Sequence, residues 1–359
     1  MKDNYFKHFI LAWVIFPLGT SSCQPTENRK ENQAQKQNNK MEEEYSWSPG
    51  ADAPNEYPAE VISGYFYKGE EIAFVPNGSV VNSGWGQDGM QMRGASFIPE
   101  GLNITFLSFV ENKFYEGDFK LPKDVILDYF RKGYTDFDTK KKVTYHNMYI
   151  GLAPGGMVVL WMAGNRSNQV EIGRFQATET QVPMEEVNPR GIKDRNEYVN
   201  GTISDYPKVV ENLKENGIQF GLHEKYRTRY TWRPKVILPE GCRMDWMAMT
   251  MYNGEAEELF DESFEKNEYR KRAIPKTIDM TWFDAKGEKF GSQMYLSWNE
   301  PETFEAFKQI FRNDKESKAE LVLKVFQIKP QNAFKVYLRT EKEEFELEDT
   351  DNGAYSMDN

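Results

Sequence analysis

The sequence predicts an α+β fold made by internal duplication, each copy a mainly antiparallel β-sheet with one packed helix. Three observations carry this. Windows of self-identity recur in one order, short aromatic and β-branched segments end at turn residues, and each copy holds a proline-started stripe of helical period.

A shift of 185 residues places Tyr45, Trp47, Pro49, Pro54, Tyr67, Gly69 and Glu70 on identical residues at Tyr230, Trp232, Pro234, Pro239, Tyr252, Gly254 and Glu255. A shift of 176 does the same for Ile98, Pro99, Thr105, Lys113 and Phe114 against Ile274, Pro275, Thr281, Lys289 and Phe290, and sets Pro154 on Pro330 and Trp161 on Tyr337. The strings EYSWSP at 44–49 and RYTWRP at 229–234 therefore open two copies, at 44–180 and 229–348, and Trp47 and Trp232 are expected to anchor equivalent cores.

In the first copy, residues 59–67, 102–110 and 113–120 have strand-and-turn character. Pro122 lacks the N–H that a first helical turn leaves unsatisfied, and Val125, Ile126, Tyr129 and Phe130 recur at helical spacing until Gly133, so a helix is expected there. Strands at 157–163 and 170–177 complete the copy. In the second, Pro301 precedes Phe304, Phe307, Ile310 and Phe311, a stripe that should lie on a sheet, and strands follow at 320–328 and 333–340. The connector at 181–228 is expected to hold one helix, read from Tyr206, Val209, Val210 and Leu213 and closed by Gly217. Residues 349–359 read as an acidic disordered tail.

The N-terminus reads as an export signal. Lys2 and Lys7 precede FILAWVIFPL at 9–18, an apolar core too short for a spanning helix, which in length needs ~20 residues. Residues 1–22 are thus a signal peptide, and TSSC at 20–23 leads through small residues to Cys23, the expected lipidation site. The alternative is a disulfide between the chain's two cysteines, Cys23 and Cys242. Lipidation is favoured because apolar core, small residues and cysteine stand in the order that processing requires, which leaves Cys242 an unpaired, buried thiol. Acyl chains such as palmitate, at ~0.8 kcal/mol per buried methylene, then anchor the chain stably when two or three are present. Residues 23–43 form a flexible polar tether, because their composition cannot bury enough surface to fold. Net charge is −11 with no block of basic residues, which argues against nucleic acid as a partner.

Candidate chemistry is sparse. GWGQDG at 84–89 has dinucleotide-loop spacing, but no apolar helical stripe opens behind it, so it reads as a long glycine-rich loop between strands. That loop is nine residues longer than its counterpart, since Glu70 to Ile98 spans 28 residues and Glu255 to Ile274 spans 19. Trp85, Asp88 and Arg93 are accordingly the candidate binding residues. GLAPGG at 151–156 reads as a turn, without the Lys-Ser or Lys-Thr of a phosphate loop. His146 and His223, the two histidines beyond the signal segment, lack zinc-helix spacing, so no metal or cofactor is expected. Many of the aromatics that would suit sugar stacking alternate along strands and read as core, Trp161 among them.

With the TSSC motif, YSWSP, the SGYFY strand, NKFYEGDFKLP at 112–122 and GLAPGGMVVLW at 151–161 in view, the chain resembles a family of bacterial lipoproteins known as domain of unknown function 2931. The likeness extends over most of the chain after the tether. It implies an envelope lipoprotein and brings no activity and no catalytic residues.

The functional expectation is a lipid-anchored protein of the cell envelope, on the periplasmic or surface face of the outer membrane. It acts as a non-catalytic binding or immunity-type interaction protein with a protein or glycan partner. The alternative is an envelope hydrolase with a site between the two repeats, which requires His146 or His223 beside a serine and a carboxylate.

Overall fold

Trp47 and Trp232 lie at the centres of the two largest apolar clusters, 1% and 0% exposed. The computed structural model describes residues 43–87, 89–165, 167–314, 316–327, 333–348 and 351–356. The expected signal segment, Cys23, the expected tether to residue 42, Asp88 and Pro330 lie outside the described residues. The chain divides into units at 1–43 and 44–359, and all described elements belong to the second.

The first half runs β1 (Ser48–Asp52), β2 (Ala59–Lys68), β3 (Glu71–Phe74), β4 (Val80–Val81), β5 (Met90–Gln91), β6 (Gly101–Ser108), β7 (Lys113–Lys120), α1 (Lys123–Lys132), β8 (Tyr134–Thr135), β9 (Lys142–Val143), β10 (Asn147–Ala153), β11 (Met157–Ala163), β12 (Gln169–Gln176) and β13 (Thr178–Thr180). The expected strands correspond to β2, β6, β7, β11 and β12 and the expected helix to α1, whereas β10 and the short strands β3, β4, β5, β8, β9 and β13 were not expected. Helix α1 starts behind Pro122, buries Ile126 and Phe130, and ends at Gly133, whose φ of 55° favours glycine.

The connector holds α2 (Met184–Val187), α3 (Arg195–Ser204), α4 (Pro207–Asn216) and α5 (Leu222–Tyr226). Only α4 was expected. Helix α3 lacks a one-sided apolar stripe: Val199 alone is buried, and Asp194 caps it by accepting from the Glu197 N–H at 2.8 Å.

The second half runs β14 (Arg229–Ile237), β15 (Arg243–Met251), β16 (Ala256–Phe260), α6 (Asp261–Glu265), β17 (Arg270–Ala273), β18 (Pro275–Phe283), β19 (Lys289–Tyr295), a 3-10 turn at Leu296–Asn299, α7 (Glu300–Ile310), β20 (Ala319–Gln327), β21 (Ala333–Arg339), β22 (Glu344–Leu347) and β23 (Asp351–Ser356). Strand β23 corrects the expectation of a disordered tail, because it pairs antiparallel with β19 along its whole length. Backbone pairing to an open edge needs no apolar side chains, so acidity alone is a poor guide there. Cys242 is half-buried rather than buried, and burial raises its thiol pKa.

Strand predominates, with several sheets and few helices, so the fold is α+β. In each half, an antiparallel sheet packs face to face on a sheet built around a parallel pair, and one helix plugs the core. The parallel pairs are β1 with β10 and β14 with β20. The Trp47 indole N–H donates to the Phe97 carbonyl at 2.7 Å, and that of Trp232 donates to the Ala273 carbonyl at 3.2 Å. Tyr45 stacks on Phe130 of α1, while Tyr230 packs on Phe307 of α7 and on Phe311 at its C-cap.

The halves share one sheet. Its order, β23-β19-β18-β15-β16-β12-β11-β10-β1-β5, joins second-half strands to first-half strands where Gln169 of β12 faces Ala256 of β16. That single pair is the whole of the strand join, and beyond it the edges diverge.

Candidate functional site

The structure separates the residues of the long glycine-rich loop. Trp85 is buried, 7% exposed, edge-on to Trp161 at 4.9 Å and 4.4 Å from the ring of His223. Gly86 touches the second half: a Cβ there would lie 2.3 Å from the Gly254 Cα. The Gln169 amide locks this contact, donating to the carbonyls of Gly86 at 2.7 Å and Gly254 at 2.5 Å. Arg93 is exposed, and Asp88 lies outside the described residues. Trp85 thus faces inward, where the loop length alone suggested solvent.

The two histidines are apart from any serine and carboxylate pair among the described hydrogen bonds. His223, on α5, is 5% exposed among Trp85, Tyr57 and Tyr226. Burial, followed by the charge of Lys276, lowers its pKa from 6.5 to about 4, so it is neutral at pH 7. His146 is exposed.

Where β12 and β16 diverge, the halves enclose a cleft of about 930 Å³, within the size range of small-molecule sites. The end of α1 and the segment around β8 and β9 form its first-half wall, with Tyr129, Lys132, Tyr134 and Tyr145. Strands β16 and β17 form the opposite wall, with Glu255, Glu257, Glu258, Arg270 and Arg272. Gln169 lines the cleft at its root, so the Gly86–Gly254 lock also fixes the floor.

The second-half wall is built of ion pairs. Glu257 receives a two-pronged contact from Arg272, at 2.9 Å and 3.1 Å, and a further one from Arg270. Burial works against the Glu257 carboxylate, yet the hydrogen bonds and charges of Arg272 and Arg270 hold its pKa below the ordinary value. Arg229 meets Glu255 at 2.5 Å. Glu258, buried, accepts from the Asn168 amide at 2.7 Å and the Trp246 indole at 3.0 Å. At the rim, Lys140 reaches Asp261 at 3.0 Å and lies over the rings of Phe137 and Phe260. Both members of that pair have positive φ, 55° and 43°, which non-glycine residues seldom adopt.

The first-half wall differs. The rings of Tyr129 and Tyr145 meet edge-on at 5.9 Å, and neither hydroxyl has a hydrogen-bond partner among the described residues. Tyr145 is nonetheless 6% exposed. Burial raises both phenol pKa values, so both hydroxyls are protonated donors at pH 7. Lys132 has no carboxylate partner among the described residues and lies 5.9 Å above the Tyr129 ring.

These residues escaped the sequence. Tyr129 sits on the apolar stripe of α1 and reads as core, while Glu255 to Glu258 and the RKR run at 270–272 read as solvated charge. Opposed acidic and basic runs flanking α6 were the available signal. Among the described residues, no group of three or more His, Cys, Asp or Glu could hold a metal ion, and no helix is long and apolar enough to cross a membrane.

No curated protein and no solved structure matches the chain. A family match covers residues 28–221, more than half the chain, and takes in NKFYEGDFKLP and GLAPGGMVVLW. It begins at residue 28 and stops before β14, so it takes in the first half and most of the connector, which is more than half of the residues from 44 onward. By this match the chain belongs to the family described as Protein of unknown function (DUF2931).

Proposed function

We propose that the chain is a lipid-anchored envelope protein, built from a duplicated α+β unit, that binds a ligand without catalysis in the cleft between the copies. Cys23 carries the anchor, and the tether sets the folded part beside the membrane, on the periplasmic or outer face. The partner is a protein or glycan of the envelope.

One observation carries the binding reading: the cleft walls come from different halves and hold unlike chemistry, ion-paired on one side and phenolic on the other. His146 and His223 do not line it. Duplication is supported by the matched tryptophan hydrogen bonds, the two parallel pairs and the glycines of positive φ at Gly69 and Gly254.

A photo-crosslinking residue at Lys132, in the cleft, is compared with one at Glu215, exposed on α4, in cells making the full chain. The proposal predicts a discrete adduct from position 132 alone. Equal adducts at both positions, or none at 132, contradict it. For the anchor, Cys23→Ala should release the chain from membranes, and retention without acyl label rejects lipidation.

A further inference from the structure

We infer that the cleft binds its ligand through an oxyanion, a carboxylate or phosphate group, held between the Tyr129 and Tyr145 hydroxyls and the guanidinium of Arg270. This rests on the proposed binding role of the cleft and adds the chemical class of ligand.

Tyr145 is more than nine-tenths buried and lines the cleft, and its hydroxyl, without a partner among the described residues, keeps access to solvent there. Tyr129 presents a second unpartnered hydroxyl beside it. As phenols that stay protonated at pH 7, both can donate into the cleft.

The charge count around these donors points the same way. Seven cationic side chains line the cleft against six carboxylates, and Lys132 is the lining cation without a carboxylate partner among the described residues. Glu257 already serves two guanidiniums, so Arg270, with its side chain 54% exposed, keeps donors for a further acceptor. Lys132 adds an unpaired positive charge. An anion entering here gains charge-assisted hydrogen bonds from groups already held in place. A cationic group would meet donors and surplus positive charge. Glu258 stands apart from this arrangement, satisfied by Asn168 and Trp246.

The test is calorimetric titration of the intact chain, with Cys23→Ser to keep it out of membranes. The probes are inorganic phosphate, glucose 6-phosphate, glucuronate and neutral glucose. Saturable binding of phosphate-bearing probes, of glucuronate, or of both in mutual competition is expected, with glucose silent. Which anion binds tighter assigns phosphate or carboxylate. Tyr145→Phe keeps the ring and should weaken binding about 10- to 100-fold, as expected for losing a hydrogen bond to a charged group. Lys132→Gln, at an exposed position, should weaken it less and flatten its salt dependence, with melting unchanged. Anionic probes that bind no better than glucose, or bind both variants as well as the parent, overturn the inference. If crosslinking from position 132 still gives its adduct in that case, the cleft remains a binding site and only the oxyanion assignment fails.

Discussion

The sheet around the parallel pair has opposite fates in the two halves. In the first half, all seven residues of β10 and all seven of β11 are buried, so both faces of the hairpin are covered. The outer face carries Tyr149, Val159 and Trp161, roofed by Trp85 and by His223 and Tyr226 of α5. In the second half, strand register puts Val322, Lys335 and Tyr337 at the matching places. Val322 is covered, but Arg233, Lys235, Lys324, Lys335 and Arg339 surround it, with Tyr269 lying against Arg233 at 4.4 Å. Long charged side chains shield this face with their aliphatic stems, and Glu320 gathers three of their charges. The first half therefore carries a roofed face and the second an open one. Trp85 of the glycine-rich loop and the helix α5 supply the roof.

Exchanging residues between matched positions tests this contrast most severely. Val159→Lys should destabilise the chain by more than about 4 kcal/mol, because it buries an unpaired charge under the roof. Lys335→Val, on the open face, should stay within about 0.5 kcal/mol. Urea denaturation of the two variants measures both, and similar losses would erase the distinction.

The shared feature comes next. Trp47→Ala and Trp232→Ala should each lose about 3–5 kcal/mol, since each removes a fully buried indole from the centre of its cluster. A loss in one half alone, by the same denaturation, would show that the two tryptophans anchor unlike cores.

Gly151 and Lys324 occupy matching register positions. A Cβ at Gly151 would lie 2.4 Å from the Trp161 ring and 2.8 Å from Trp85, so Gly151→Ala should cost about 1–3 kcal/mol by overpacking. Lys324→Ala should be near neutral in the same melting experiment.

The smallest effects are graded with pH. The pKa of His223 falls from 6.5 to about 4 on folding, so the unfolded chain takes up a proton that the folded chain excludes, and stability declines as pH drops through that window. His223→Phe should flatten the decline between about 6.5 and 4. On the open face, burial opposes ionisation of Glu320, yet Arg233, Arg339 and Lys235 hold its pKa down at about 2. Its contribution is present above 4.5 and is lost as pH falls toward 2, a loss that Glu320→Gln should abolish. Melting temperatures across pH 2 to 7 separate the two windows.

Much of the fold was legible because its signals are local. Pro122 and Gly133 bracket α1, and a continuous apolar run marks β11, since propensity and turn chemistry act over a few residues. The cleft was not legible, because Tyr129 and Glu257 come together only when β12 and β16 meet at one residue pair. Register was also hidden. Strands β11 and β21 keep the 176 spacing that pairs Trp161 with Tyr337, but β10 and β20 match at 173, as Met148 and Leu321 show. The identity of Phe114 and Phe290 likewise conceals a one-residue slip: Phe114 packs with Met184 and Val199 on the outer face, whereas Phe290 joins the inner core of Trp282. In a strand a slip of one residue reverses the face, so identity does not fix environment.

Hydroxyl-radical footprinting of the intact chain, read residue by residue by mass spectrometry, tests the roofed and open faces most directly. Trp161 and Tyr149 should be protected while Tyr337 and Phe326 are modified, and Trp85→Gly should expose Trp161 alone of the four. Modification of Trp161 in the parent chain to the same extent as Tyr337 would contradict the account.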